Sequence, residues 1–323
     1  MYHDSGSIHV ENARIKCWKA GGHGTQTYLQ VVENSCNPGF VTLGQKLGKE
    51  KLFEYIKKFG FGTKTGVDLN GESTGILFNL DKVGPVELAT TAFGQGVSVT
   101  PIQQITAVSA AINGGYLLKP YIVKSINEPE TNSVILENKK TIVRKVISES
   151  TSEKVRFALE SVVTNGTGRN AFIDGYRVGG KTGTAQKVEN GRYMIGNYIV
   201  SFIGFLPAND PEVIVYIAID HPRGITQYGG TVAAPIARSI LLDAIDILNI
   251  KKPEGASEKN YNYLDRKYAT VPDVVNMDLN EAMKNLKSFK VEYSGSGEKV
   301  VYQSPSKNER IYEGETVKLL LGN

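Results

Sequence analysis

The chain has 323 residues, of which 41% are hydrophobic, so it can bury a substantial core, and its length favours two or three domains. Its formal net charge of +4 is small, and no basic stretch interleaved with aromatic residues indicates nucleic acid as a partner. No stretch approaches the ~20 consecutive apolar residues that span a bilayer, and the first residues lack the basic and apolar regions of a signal peptide.

Short strands are predicted within residues 1–22, and helices follow wherever apolar residues recur at helical spacing between capping and stop residues. The predicted helices run from a cap at Thr25 through Cys36, and over 45–59, 85–92, 101–112, 150–163 and 232–248. Runs of β-branched and aromatic residues predict strands over 121–126, 133–137, 141–146, 176–187, 198–206 and 213–219. The last three are typical of an antiparallel meander, and a sheet flanked by helices at both ends indicates the α+β fold class.

Residues 249–267 are polar, charged and rich in turn-forming residues, which is typical of a linker between domains. The sequence therefore predicts a first domain over 1–248 and a small second unit over 268–323. The second unit combines a helix over 279–286 with strands around Val291, Val300 and 317–320.

The segment from Val178 to Lys187 reads Val-Gly-Gly-Lys-Thr-Gly-Thr-Ala-Gln-Lys, and we expect the first domain to be organised around it. Its small residues let a ligand approach the backbone closely. On an extended strand alternate side chains share a face, so Lys181 and Gly183 point one way while Thr182 and Thr184 point the other. One ammonium and two hydroxyls at a strand edge suit an anionic peptide substrate.

Lys-Thr-Gly alone is a common tripeptide of turns, so its context decides its significance. Ser35-Cys36-Asn37 precedes Lys181-Thr182-Gly183, which is the order of the Ser-x-Asn and Lys-Thr-Gly motifs in serine β-lactamases and penicillin-binding proteins. The third motif of that set, Ser-x-x-Lys, supplies the nucleophile.

Further short segments accompany these two motifs in a characteristic order: Gly22-His23-Gly24, Phe93-Gly94-Gln95-Gly96 with Thr100-Pro101, Gly166-Thr167-Gly168, and Ser201-Phe202-Ile203-Gly204-Phe205. With them, the chain resembles the transpeptidase domain of class B penicillin-binding proteins, most of all the sporulation-specific members with a C-terminal PASTA domain. The tail is similar to a PASTA domain through Val271-Pro272-Asp273 and Gln303-Ser304-Pro305. The resemblance implies the transpeptidase fold shared with serine β-lactamases, an antiparallel sheet flanked by helices, over roughly residues 20–245.

The resemblance also implies a reaction, acyl transfer from the penultimate D-Ala of a peptidoglycan stem peptide to an amine on a neighbouring strand. Lys181 would supply positive potential, and Thr182 and Thr184 would bind the substrate carboxylate beside Gly183, with the Thr184 N–H in the oxyanion hole. Ser35 would relay protons and Asn37 would position the substrate amide. The implied partners are stem peptides, β-lactams and membrane proteins of cell-wall synthesis, here of the spore cortex.

The chain departs from the family at the nucleophile, because no Ser-x-x-Lys precedes Ser35. Two matches by spacing, Ser296 to Lys299 and Ser304 to Lys307, both lie in the tail and are not expected to be catalytic. We therefore expect the chain to be the C-terminal part of a longer protein that acts at the extracytoplasmic face of the bacterial membrane. The upstream part would carry the anchor and the nucleophile, and the chain alone would be inactive.

Two cysteines occur, Cys17 and Cys36, without a Cys-x-x-Cys pair, so neither a metal nor another cofactor is expected. Cys36 is interpreted either as a small buried apolar residue or as the partner of Cys17 in a disulfide that makes activity depend on redox state. His23 and His221 have no Asp or Cys partner at a recognisable spacing and are expected to be structural.

Two other functions remain open. The chain could be a non-catalytic module that binds peptidoglycan or a partner protein. A soluble hydrolase of the β-lactamase type is less favoured, because it needs the same absent serine and nothing resembles its water-activating Glu loop.

Overall fold

The computed structural model describes residues 1–189, 192–253 and 268–322, and the chain divides into two compact units, 1–259 and 260–323. Of the predicted linker, residues 254–267 lie outside the described residues. At its beginning, Asn249 ends the preceding helix in the left-handed conformation, and Ile250 is buried in the core of the larger unit.

The larger unit mixes helices and strands along its whole length. Its described elements are, in chain order, β1 (Tyr2–Asp4), β2 (Ser7–Val10), β3 (Ala13–Lys16), β4 (Gly24–Gln26), α1 (Tyr28–Glu33), α2 (Asn37–Leu47), α3 (Lys49–Lys58), α4 (Pro85–Ala92), α5 (Pro101–Ile112), β5 (Tyr116–Leu118), β6 (Ser125–Asn127), β7 (Val134–Glu137), β8 (Ile142–Lys145), α6 (Glu149–Thr164), β9 (Gly179–Glu189), β10 (Arg192–Leu206), β11 (Val213–Asp220) and α7 (Gly229–Leu248). Among the helices of the described part, none is both long and apolar enough to cross a membrane.

The central sheet has three antiparallel strands in the order β11-β10-β9, as the predicted meander requires. Lys181 on β9 pairs with Ile203 on β10, and Thr184 pairs with Val200. Since β10 lies in the middle, β9 is an edge strand of this sheet among the described strands. The Lys-Thr-Gly segment is thus presented along a sheet edge.

Helix α7 packs against this sheet and forms the main core with it. Phe202 and Leu206 of β10 are fully buried against small or aliphatic side chains of α7, among them Ala233, Ala237 and Leu241. Each large apolar side chain buried in this way contributes about 1.5–3 kcal/mol to folding. The core therefore fixes the helix on the sheet and, through it, the position of β9.

The two predicted helices nearest the N-terminus have wrong boundaries, and the first of them, predicted to run through Cys36, ends at Glu33. Thr25 lies in β4, and the cap of α1 is Thr27, whose hydroxyl accepts from the Gln30 N–H while the Gln30 side chain accepts from the Thr27 N–H. The single helix predicted over 45–59 is interrupted by Gly48, which has a φ of +81° and separates α2 from α3. Glycine adopts this backbone conformation without the steric penalty of a side chain.

The helices predicted over 85–92 and 101–112 are confirmed as α4 and α5. Thr100 caps α5 through a reciprocal pair of hydrogen bonds with Gln103, and Pro101 occupies the first turn. Strand β5 was not predicted, because its three residues directly follow Gly114-Gly115 and give no periodic pattern.

The smaller unit contains β12 (Tyr268–Thr270), α8 (Leu279–Asn285), β13 (Lys290–Gly295), β14 (Lys299–Ser304), β15 (Arg310–Tyr312) and β16 (Thr316–Gly322). Its main sheet has the order β13-β16-β14, with β13 parallel and β14 antiparallel to β16. The tail serines belong to this sheet region: Ser296 lies between β13 and β14, and Ser304 ends β14.

Candidate functional site

Lys181 and Ser35 form the centre of the candidate site. Lys181 Nζ lies 2.7 Å from Ser35 Oγ and 3.0 Å from the carbonyl oxygen of Thr182. The ammonium is enclosed by protein although the residue keeps some exposed surface, and this burial lowers the pKa of Lys181 to about 8. Because the ammonium donates to Ser35 Oγ, the proton of the Ser35 hydroxyl is available for another acceptor.

Ser35 occupies a tight turn between two helices. Helix α1 ends at Glu33 with Asn34 as its C-cap, Ser35 has a left-handed φ of +51°, and Cys36 precedes the first residue of α2. The Ser35 N–H donates to the Val32 carbonyl over 3.2 Å, and the Cys36 N–H donates to the Val31 carbonyl over 3.0 Å. A left-handed serine costs about 1–2 kcal/mol, so its surroundings must hold this turn in place.

Trp18 supplies part of that support. Its indole N–H donates to the Asn34 carbonyl over 2.7 Å, and its ring meets the rings of His23 and Tyr228 edge to face, with centroids 5.3 and 6.2 Å apart. Since Tyr228 directly precedes α7, Trp18 links the Ser-x-Asn turn to the start of that helix. Sequence reasoning did not select Trp18, because a lone tryptophan carries no motif.

Asn37 is the first residue of α2, and its side-chain amide donates to the Lys16 carbonyl of β3 over 3.2 Å. The Asn37 side chain thus contacts β3, whereas the Ser35 side chain contacts Lys181 directly. In this arrangement the Asn37 side chain holds the turn against β3. To position a substrate amide, as the resemblance implies, its NH₂ group must leave the Lys16 carbonyl and bind the substrate instead.

The hydroxyl of Thr182 lies 2.9 Å from the hydroxyl of Thr167. Thr167 belongs to the Gly-Thr-Gly turn, and its N–H donates to the Glu33 carbonyl at the end of α1 over 3.0 Å. A Cβ at Gly166 would overlap the same carbonyl, so glycine permits this close approach. The resemblance includes Gly166-Thr167-Gly168 but implies no role for Thr167, so the sequence alone does not identify it as a site residue.

Glycines also bring the start of α7 against β9. The Gly229 N–H donates to Thr184 Oγ1 over 3.3 Å, and a Cβ at Gly229 would overlap the carbonyl oxygens of Ser201 and Gly183. A Cβ at Gly183 would itself overlap the Ser201 hydroxyl. The positive end of the α7 dipole thus lies beside Thr184, where it favours an anionic group.

These contacts gather an ammonium, four hydroxyls and a helix N-terminus along one edge of the sheet. Such a set of donors can bind a carboxylate, and the enclosed ammonium can share a proton with Ser35. Of the sequence-selected residues, Lys181 and Ser35 are in contact, and Thr182, Gly183 and Thr184 continue the same strand.

The two cysteines lie directly beside this turn, in a buried cluster with Asp4 and His23. His23 Nδ1 lies 3.0 Å from Asp4 Oδ2 and 3.2 Å from Cys17 Sγ, and Cys36 Sγ donates to Asp4 Oδ2 over 3.3 Å. His23 therefore has the Asp and Cys partners that its sequence spacing did not suggest.

The ionisation of this cluster reflects its burial. Burial raises the pKa of Cys17 to about 12 and the pKa of Cys36 to about 11. Burial alone would also raise the pKa of Asp4, but hydrogen bonds from Cys17, Gly6 and His23 outweigh it and hold that pKa well below its usual range. In the structure both thiols are free. The Cys17–Cys36 disulfide stays a prediction, and because an S–S bond is ~2.05 Å long, forming it requires the two sulfur atoms to approach each other.

Two family models match the chain: the penicillin binding protein transpeptidase domain over residues 1–242 and the PASTA domain over residues 269–323. Stage V sporulation protein D of Bacillus subtilis is 57% identical over 321 residues, which are 99% of this chain and 50% of the relative. The peptidoglycan D,D-transpeptidase FtsI homolog of Mesostigma viride is 32% identical over 77% of this chain and 46% of the relative. The chain thus spans about half the length of these two relatives.

A solved structure shows the same fold. Penicillin-binding protein 3 of Mycobacterium tuberculosis, in complex with ampicillin, aligns with a TM-score of 0.72 at 30% identity over 80% of this chain and 59% of that chain. The sequence match and the shared fold agree with the order of the motifs along the chain. The chain belongs to the penicillin-binding protein transpeptidase family and ends in a PASTA domain.

Proposed function

We propose that this chain is the part of a peptidoglycan D,D-transpeptidase that carries the Ser-x-Asn and Lys-Thr-Gly motifs and binds the end of a stem peptide. The contact between Lys181 Nζ and Ser35 Oγ carries this proposal, since it joins the two motifs into one group of donors. Thr182 and Thr184 bind the terminal carboxylate, and Lys181 and the α7 N-terminus supply positive potential.

The proposed reaction is acyl transfer. A serine from a Ser-x-x-Lys segment upstream of residue 1 attacks the penultimate D-Ala carbonyl, and the Thr184 N–H stabilises the oxyanion. The amine of the last D-Ala leaves with a proton relayed through Ser35, which is hydrogen-bonded to Lys181. An amine from a neighbouring peptide then attacks the acyl-enzyme and regenerates the serine.

The same group of donors along β9 can bind a β-lactam. A β-lactam presents a carboxylate and a strained amide carbonyl, so it can use the carboxylate-binding hydroxyls of β9 and acylate the same serine. We place this reaction at the extracytoplasmic face of the membrane, in spore cortex synthesis, together with membrane proteins of cell-wall assembly. The likeness to a sporulation protein supports the cortex assignment.

A second candidate is a non-catalytic module that binds peptidoglycan. The absence of Ser-x-x-Lys from residues 1–259 favours it for the chain alone, because that motif supplies the nucleophilic serine and the lysine base of the family.

Acylation by a fluorescent penicillin separates these candidates. The test compares the 323-residue chain with a chimera in which it replaces the matching half of Bacillus subtilis stage V sporulation protein D. We expect a labelled chimera and an unlabelled chain. Label on a serine of the chain itself would contradict the assignment of the nucleophile, and a folded but unlabelled chimera would favour the binding module.

A further inference from the structure

A cavity of about 160 Å³ lies between the end of α3, helix α5 and the paired strands β5 and β8. The buried residues Gln103, Thr106 and Leu117 form its floor, and the exposed residues Lys64 and Arg144 lie at its rim. None of the residues that line it belongs to the candidate site around Lys181. The cavity is therefore a second place where the larger unit can take up a ligand.

Thr106 brings an unsatisfied hydroxyl to the floor of this cavity. The residue is 8% exposed, and its Oγ1 has no hydrogen-bond partner among the described residues. A threonine inside a helix can donate to the carbonyl four residues earlier, as Thr42 does to Pro38 over 3.0 Å. Thr106 does not make this bond. Because a buried hydroxyl without a partner is unfavourable, a polar atom that enters the cavity gains a hydrogen bond there.

The other uncharged polar side chains that line the cavity already have partners within the protein. The Gln103 amide donates to the Thr63 carbonyl over 2.8 Å, and the Thr63 hydroxyl donates to the Gly60 carbonyl over 3.1 Å. The Thr65 hydroxyl donates to the Glu72 carboxylate over 2.6 Å. These groups hold the wall of the cavity together, so the unsatisfied hydroxyl on the floor is the point at which a ligand gains most.

The charged side chains at the rim are both cations, and no acidic residue is among the described residues that line the cavity. The Arg144 guanidinium donates to the carbonyls of Lys58 and Lys57 at the end of α3 over 2.8 and 3.4 Å, which fixes it beside the cavity. Lys64 also interacts electrostatically with Glu72, whose carboxylate lies outside the lining. An anionic group at the rim can therefore pair with two cations.

Apolar side chains line the space between the floor and the rim. Phe59, Leu118 and Val143 form this wall together with Leu117 of the floor. A closed apolar cavity of about 150 Å³ admits benzene, so this cavity suits a compact apolar body of about six to nine non-hydrogen atoms. Burial of such a body against the wall supplies the non-directional part of the affinity.

We propose that this cavity binds a small organic acid with three parts: a carboxylate that pairs with Lys64 and Arg144, a compact apolar body, and a hydrogen-bonding group that reaches Thr106. A para-hydroxylated aromatic acid has this order of groups along its length. Binding to the folded chain alone raises its unfolding temperature. The site lies apart from the Ser-x-Asn and Lys-Thr-Gly motifs, so it is tested without reference to enzyme activity or to the proposed function.

The test titrates the full 323-residue chain with 4-hydroxybenzoate by calorimetry and follows its thermal unfolding. For a ligand of this size we expect a dissociation constant on the order of 1 mM. Benzoate lacks the hydroxyl and should bind about fivefold more weakly, and 4-hydroxybenzamide lacks the charge and should bind about tenfold more weakly. Inorganic phosphate lacks the apolar body, and stabilisation by phosphate equal to that by 4-hydroxybenzoate would overturn the proposal.

Two variants locate the site. Thr106→Val keeps the shape of the side chain and removes an unsatisfied hydroxyl, so it should fold at least as well as the wild type and bind both acids with equal affinity. Lys64→Met should weaken both acids about tenfold. Lys124→Met, which removes an exposed lysine outside the cavity, is the matched control and should bind as the wild type does. No saturable binding of either acid to the wild type, or an unchanged preference for 4-hydroxybenzoate in Thr106→Val, overturns the proposal.

Discussion

Lys181 Nζ lies 2.7 Å from Ser35 Oγ, although 146 positions separate the two residues along the chain. Strand β9 presents the lysine, and the turn between α1 and α2 presents the serine. This one contact joins the two motifs that the sequence shows far apart, and it places a lysine of lowered pKa beside a hydroxyl that can relay a proton.

The lowered pKa of Lys181 predicts a pH-dependent contribution to stability. The unfolded chain binds this proton with the ordinary pKa of 10.5 and the folded chain with a pKa of about 8. Between these values the unfolded state holds more protons, so this lysine makes the free energy of unfolding rise with pH across that window. Below about pH 8 the penalty of burying the ammonium is present in full.

Urea unfolding at a series of pH values checks this linkage by comparing the wild type with Lys181→Met. The rise between pH 8 and 10.5 should be present in the wild type and absent from the variant. Lys187→Met, on the same strand but paired with Asp220, serves as the control and should keep the rise. Parallel curves for the wild type and Lys181→Met would show that the ammonium is not enclosed.

The hydrogen bond between Thr167 and Thr182 should stabilise the site measurably. Thr167→Val removes the hydroxyl with little change of shape, and we expect a loss of about 1 kcal/mol in the free energy of unfolding. A double-mutant cycle with Thr182→Val isolates the pair. Strictly additive losses would mean that the two hydroxyls do not interact.

Gly180 should be intolerant of a side chain. An added Cβ would overlap the Phe202 ring and approach the Ile203 carbonyl to 2.7 Å, so Gly180→Ala should destabilise the chain by about 1–3 kcal/mol. Thermal unfolding measures this loss. Phe202→Leu should partly rescue Gly180→Ala, because it removes the ring that the new methyl group meets. If the two losses add in full, the overlap with Phe202 is not their cause.

Long and locally capped patterns allowed much of the fold to be predicted from sequence. The antiparallel meander was predicted from three runs of β-branched residues, and helix α5 from Thr100-Pro101. The break at Gly48 was missed, because apolar spacing continues through it and only the backbone conformation shows the interruption.

The site was less accessible from sequence, since it depends on contacts between distant segments. Lys181 and Ser35 were selected because motifs mark them. His23 and Thr167 lie in segments that carry the resemblance but imply no role for them, and Trp18 lies in no such segment, so all three become part of the site only when their elements fold against the Ser-x-Asn turn. Long-range contact, rather than local pattern, selects these three residues.

The most direct test of the central claim is the rate at which penicillin acylates the chimera. In that chimera, this chain replaces the matching half of Bacillus subtilis stage V sporulation protein D. Lys181→Met should slow acylation about 10²–10³-fold, the loss typical of removing one electrostatic group from such a site. The Lys187→Met chimera should react at the unsubstituted rate, since this lysine pairs with Asp220. Equal acylation rates for the Lys181→Met and unsubstituted chimeras would contradict the claim that Lys181 and Ser35 form the substrate-binding half of a transpeptidase site.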